Sequence, residues 1–114
     1  MQWAAIILAL AALGGITLAG IRLSGVPRPP TWIALGHGAI AATGLGFLAY
    51  DVLSTTVPPL AQVSLGVLVL AALGGFTLFG GFHLREKPLP IPLVIVHGIA
   101  AVTGYVLLLF AMYA

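Results

Sequence analysis

No cysteine occurs anywhere in the 114 residues. Its absence excludes disulfides, thiolate metal sites, iron–sulfur clusters and covalent haem attachment through Cys. Charge is almost as scarce, with four Lys or Arg and two Asp or Glu, 5% of the chain. A soluble domain needs a charged surface, and six charged side chains cannot build one. Four basic residues are also too few for a nucleic-acid footprint, so no nucleic-acid partner is expected. What the chain has in quantity is hydrocarbon: 61% hydrophobic residues and a mean hydropathy of +1.23. Composition therefore predicts an integral membrane protein whose first partner is membrane lipid.

Four apolar segments are separable: Trp3 to Leu23, Thr31 to Leu53, Ala61 to His83 and Pro90 to Tyr113. Each has about 20 residues, enough to cross a hydrocarbon core of roughly 30 Å as a helix. The breaks SGVPRPP, STTVPP and REKPLPIP carry proline, which a helix tolerates at its start because the missing N–H has no intrahelical acceptor there. No break is long enough for a soluble domain. The N-terminal run lacks a basic stretch before it, so a retained span is expected rather than a cleaved signal. Arg22 and Arg28 lie in the first loop and Arg85 and Lys87 in the third, while the middle loop holds only Asp51. The positive-inside rule then puts loops one and three in the cytoplasm and both termini outside, in a membrane of the bacterial inner (cytoplasmic) type.

The chain also repeats itself at an ungapped offset of 60. Ala11-Ala12-Leu13-Gly14-Gly15 recurs as Ala71-Ala72-Leu73-Gly74-Gly75, and His37-Gly38 as His97-Gly98. Ala41, Thr43 and Gly44 recur as Ala101, Thr103 and Gly104, and Pro30 as Pro90. Of the 54 aligned positions 18 are identical, against about six expected by chance from residue frequencies. The expected fold is an all-α, four-span helical bundle forming one domain. It is built from two tandem helical hairpins, residues 1–54 and 61–114, related by a pseudo-two-fold axis along the membrane normal.

That symmetry sets His37 and His97 at one depth on opposite sides of the axis, each seven residues past its proline. An imidazole at that depth is costly unless satisfied, and such residues face the bundle interior. Ala41 and Gly44 share the helical face of His37, and Ala101 and Gly104 that of His97, a strip of small side chains that leaves room for something flat. Two neutral imidazoles facing each other suit the axial positions of one six-coordinate haem b. Zinc wants about four ligands, and these spans offer no cysteine or central carboxylate to complete the set. Square-planar copper wants more donors too. Gly14, Gly15, Gly74 and Gly75 let backbone approach a ring edge, and Thr17 and Thr77, or backbone carbonyls near them, are candidate acceptors for the second imidazole N–H.

The pattern resembles the four-helix core of the membrane cytochromes b. In that family the second and fourth helices supply paired axial histidines, and glycines in the first and third make space for the rings. The resemblance is one of architecture along the whole chain, and it implies His37 and His97 as axial ligands with Gly14, Gly15, Gly74 and Gly75 as space-makers. It departs from the family in having one histidine on each ligand helix instead of two, so a single haem is implied. His83 stands opposite Leu23 in the repeat and has no counterpart. The haem propionates are expected at the end where Arg22, Arg28, Arg85 and Lys87 gather.

The expected function is one-electron transfer with quinone or a partner redox protein, as a carrier rather than a catalyst in its own right. The alternative is an accessory subunit of a larger respiratory or photosynthetic membrane complex, without a cofactor of its own. Gly-rich faces also suit a homo-oligomer. A proton-coupled exporter is disfavoured because no span carries a carboxylate near its centre. The commonplace roles stand beside these: small residues pack helices in any membrane bundle, and Thr hydroxyls bond their own helix.

Overall fold

The computed structural model describes residues 1–114 as four long helices. α1 spans Gln2–Leu23, α2 Thr31–Ser54, α3 Pro59–Leu78 and α4 Ile91–Tyr113. α3 continues through a π-helical turn, Phe79–His83, that the apolar pattern does not reveal. α2, α3 and α4 start directly after Pro30, Pro58 and Pro90. Each proline occupies a place where its missing N–H breaks no ladder bond. The turn after α1 closes on Gly25 at a φ of 111°, a conformation that side-chain-bearing residues rarely adopt.

All four helices are long and apolar enough to cross a membrane, α3 with its π turn included. The bundle measures 43 × 20 × 19 Å, against about 40–45 Å for a bilayer with its headgroup regions. Because the helices are apolar all round, hydrophobicity does not choose the buried face; size does. Ala, Gly and a few leucines turn inward, while Trp3, Ile16, Leu70, Phe76 and many others stay exposed. That distribution suits helices whose outer surface meets hydrocarbon and whose backbones approach closely within.

α1 packs along α2 and α3 along α4, with α1 also touching α4 and α2 touching α3. The cyclic order leaves α2 diagonal to α4. The dry core sits at the end that holds the chain termini: Ala4, Ala5, Leu8, Leu48, Leu68 and Leu108. There Leu8 lies on Gly44, where an added Cβ would come within 2.7 Å of Leu8 Cγ, and Leu68 lies on Gly104, where the corresponding distance is 2.6 Å. Gly44 and Gly104 therefore do not border open space, as their position below the histidines suggested. Each is filled by a leucine of its own hairpin. The Tyr105 hydroxyl donates to the Ala5 carbonyl at 2.9 Å, and Ser64 to the Gly104 carbonyl at 2.7 Å. At the opposite end, the Leu89 N–H donates to the Pro27 carbonyl at 3.1 Å and Arg22 Nε to the Leu89 carbonyl at 2.8 Å. These bonds tie the first loop to the third.

Gly104→Ala drives a methyl into Leu68 and also within 3.3 Å of its backbone nitrogen, so thermal unfolding in detergent should show a loss of about 1–3 kcal/mol. Gly66→Ala meets nothing within 4 Å and should leave stability unchanged or raise it by up to about 1 kcal/mol.

Candidate metal centre

His37 and His97 each lie six residues into their helices, about 9 Å along the axis from the loop end. Both are half-buried. Their Nδ1 atoms lie 2.8 Å from main-chain carbonyls of the preceding helix, His37 from Ala11 and His97 from Ala71. A carbonyl only accepts, so each Nδ1 carries a proton, and in the neutral imidazole Nε2 is then the nitrogen with the lone pair. Neither Nε2 has a hydrogen-bond partner in the protein. Neither is sealed from its surroundings, since no buried side-chain nitrogen or oxygen lacks a partner.

The local sequence explains how an imidazole reaches a helix carbonyl. In an α-helix the oxygen of residue i is flanked by the side chains of residues i+3 and i+4. For Ala11 these are Gly14 and Gly15; for Ala71 they are Gly74 and Gly75. A Cβ on Gly15 would lie 3.1 Å from His37 Cε1, and one on Gly75 would lie 3.1 Å from His97 Cε1. Gly14 and Gly74 border the same rings more loosely, at 3.4 and 3.6 Å. The four glycines thus make a seat for each imidazole.

The two ring centres lie 6.3 Å apart with the planes 89° to each other. Two imidazoles bound through Nε2 to opposite sides of one metal ion, at about 2 Å each, have ring centres roughly 6 Å apart. No group of three or more His, Cys, Asp or Glu side chains comes together elsewhere in the chain. No family model matches the chain, and no curated protein or solved structure matches it either. What the pair can do follows from its donor set: two Nε2 atoms without a protein partner, on carbonyl-anchored rings whose centres are 6.3 Å apart.

The other sequence candidates fall into place differently. Thr17 and Thr77 donate to Leu13 and Leu73 of their own helix, both at 2.9 Å. The acceptor role belongs to the Ala11 and Ala71 carbonyls instead. Ala41 and Ala101 are half-buried one turn beyond the histidines. Arg22 is engaged with Leu89, and Arg28 Nη1 donates to the His83 carbonyl at 3.3 Å. Arg85 is exposed on the third loop. Two features escaped the sequence: which carbonyls accept, Ala11 and Ala71, which only the i+3, i+4 glycine spacing could have signalled, and the bond between Thr31 Oγ1 and His83 Nε2 at 2.9 Å.

In ¹⁵N spectra of histidine-labelled protein, His37 and His97 should both show a hydrogen-bonded Nδ1–H. Gly15→Val, which forces a side chain against Cε1 of His37, should abolish that signature for His37 and leave it for His97.

Proposed function

We propose that the chain is an integral membrane cytochrome b in which His37 and His97 hold one haem b through their Nε2 atoms. The observation that carries this is the pair itself. Two imidazoles on diagonal helices each have Nδ1 committed to a carbonyl and Nε2 without a protein partner, and their ring centres lie at the separation that two ligands of one metal ion would have. A ligating imidazole usually donates its other N–H in this way, which fixes the tautomer and raises ligand basicity. When bound, haem would supply reversible one-electron chemistry at iron, with His37 and His97 as the residues that would hold it.

The residues around the pair have separable roles. Gly14, Gly15, Gly74 and Gly75 admit the imidazoles to the helix backbone. The exposed apolar side chains keep the bundle in lipid and the site away from water. Arg22 and Arg28 each spend part of a guanidinium on a main-chain carbonyl, and the remaining donors are free for anionic carboxylates at that end. The protein is built from two tandem hairpins, with loops one and three on the cytoplasmic side. Its electron partners belong to the classes of quinones and membrane redox proteins. The accessory-subunit alternative has no observation in its favour beyond the apolar surface, which a cytochrome shares.

Purified from haem-replete cells, the protein should show reduced-minus-oxidised bands of low-spin haem b at one haem per chain, absent from His37→Ala and His97→Ala. Gly75→Val should weaken haem affinity by roughly 10–100-fold, as loss of an outer hydrogen bond to a metal ligand does. A colourless, folded wild-type preparation would rule the proposal out and leave the accessory role standing.

A further inference from the structure

The offset-60 correspondence breaks down at the loop end of α3, and the third histidine lies there. Leu23, the counterpart of His83, is 55% exposed at the end of α1, whereas His83 is 5% exposed. The π turn Phe79–His83, which contains Gly80 and Gly81, brings it inward. Such widened turns occur rarely and often at functional positions. The ring stacks on Phe79, centres 5.2 Å apart and planes at 17°. Its Nε2 lies 2.9 Å from Thr31 Oγ1. Thr31 is six residues before His37 on the same helix, about 9 Å of helical rise.

A hydroxyl can donate to an imidazole lone pair or accept from an imidazole N–H simply by rotating. The Thr31–His83 pair therefore tolerates either protonation state without losing its bond. The charged groups around it are few. Arg28 bonds the main-chain carbonyl of His83 and Arg22 that of Leu89. Arg85, Glu86 and Lys87 are exposed on the following loop. α2 contributes only Thr31 here, and the first turns of α4, Ile91 to Val96, carry no titratable group. Asp51 is at the far end of the bundle, paired with the Met1 ammonium. Glu86, the one carboxylate side chain at this end, is exposed and makes no salt bridge with His83, and a negative charge added inside the bundle would favour an imidazolium there.

Resting on the bis-histidine haem reading, we propose that His83 is the proton acceptor that responds to reduction of the site. With haem bound, reduction would bring one electron into the site from a hydroquinone-type or chemical reductant. One proton from water at the loop side binds the free nitrogen of the His83 imidazole. The charge added to the low-dielectric interior is thereby compensated at Thr31–His83, the bonded pair nearest the cytoplasmic loops. Among the side chains at this end, imidazole is the one whose ordinary titration range spans neutral pH.

The test is a spectroelectrochemical titration of the haem-loaded protein in detergent between about pH 5 and 8, with proton uptake on dithionite reduction followed by an indicator dye. In the wild type the midpoint potential should fall as pH rises, and reduction should take up close to one proton per haem within that window. His83→Leu, which installs the residue that Leu23 supplies in the first half, should keep its haem bands but lose both the slope and the uptake. An unchanged slope and uptake in that variant, with bands intact, would overturn the proposal alone. So would a pH-independent wild type. A wild type without haem bands overturns the cofactor reading and this proposal with it. If His83→Leu does not fold, Thr31→Val serves in its place. It should move the inflection of the potential along the pH axis, and an inflection that stays put would sink the idea.

Discussion

An imidazole N–H set among apolar helices must find an acceptor, and here the only one within reach is the backbone of the neighbouring helix. Helix carbonyls are already engaged with the N–H four residues on, but each oxygen has a second lone pair. Reaching it requires that the side chains at i+3 and i+4 be absent. The AALGG segments meet that condition twice, and the histidines follow 26 residues after the carbonyls they bond. Tautomer, ring orientation and close approach of the helices within each hairpin all depend on this bond. So does the availability of Nε2, because an imidazole bonded the other way round would present the wrong nitrogen to the gap.

Much of the architecture could be read from the residues. The four apolar runs match the helices to within two residues at each end, because proline marks three of the starts. The histidine pair was legible because two titratable side chains recur in identical settings in a chain nearly devoid of others. What was not legible follows from uniform hydrophobicity. When every face of a helix is apolar, the pattern cannot say which small residue borders a gap and which accepts a leucine. Gly44 and Gly104 were misplaced for that reason, since they look the same in sequence as Gly15 and Gly75. Backbone carbonyls of the first and third helices were among the expected acceptors, but Ala11 and Ala71 could not be singled out, because main-chain acceptors carry no letter in a sequence. Thr17 and Thr77 drew attention as visible hydroxyls, yet a threonine inside a helix has its own i−4 carbonyl within reach at little cost. The π turn has no compositional mark beyond Gly80-Gly81, a pair that also occurs harmlessly elsewhere.

Packing is unevenly shared along the bundle. The layer of Leu8, Leu48, Leu68 and Leu108 clamps the two hairpins together at the end holding the termini. Between the histidines and the loops the buried residues thin out to Pro29, Leu78, His83 and Val94. There the hairpins are joined instead by polar ties from Arg22, Arg28 and Thr31. A leucine clasp at one end and hydrogen bonds at the other leave the middle level, where the two imidazoles meet edge-on, as the place where the hairpins are least tied together.

Two hairpins carried on one polypeptide can also do what a pair of identical chains cannot. In a symmetric dimer every substitution appears twice, so a polar residue placed at one mouth of the bundle is necessarily placed at both. Here Leu23 faces outward while His83 turns in, and no matching change disturbs the other half. Joining the halves end to end allows the two histidines to keep matching settings while the flanks become chemically distinct, giving the molecule a front and a back.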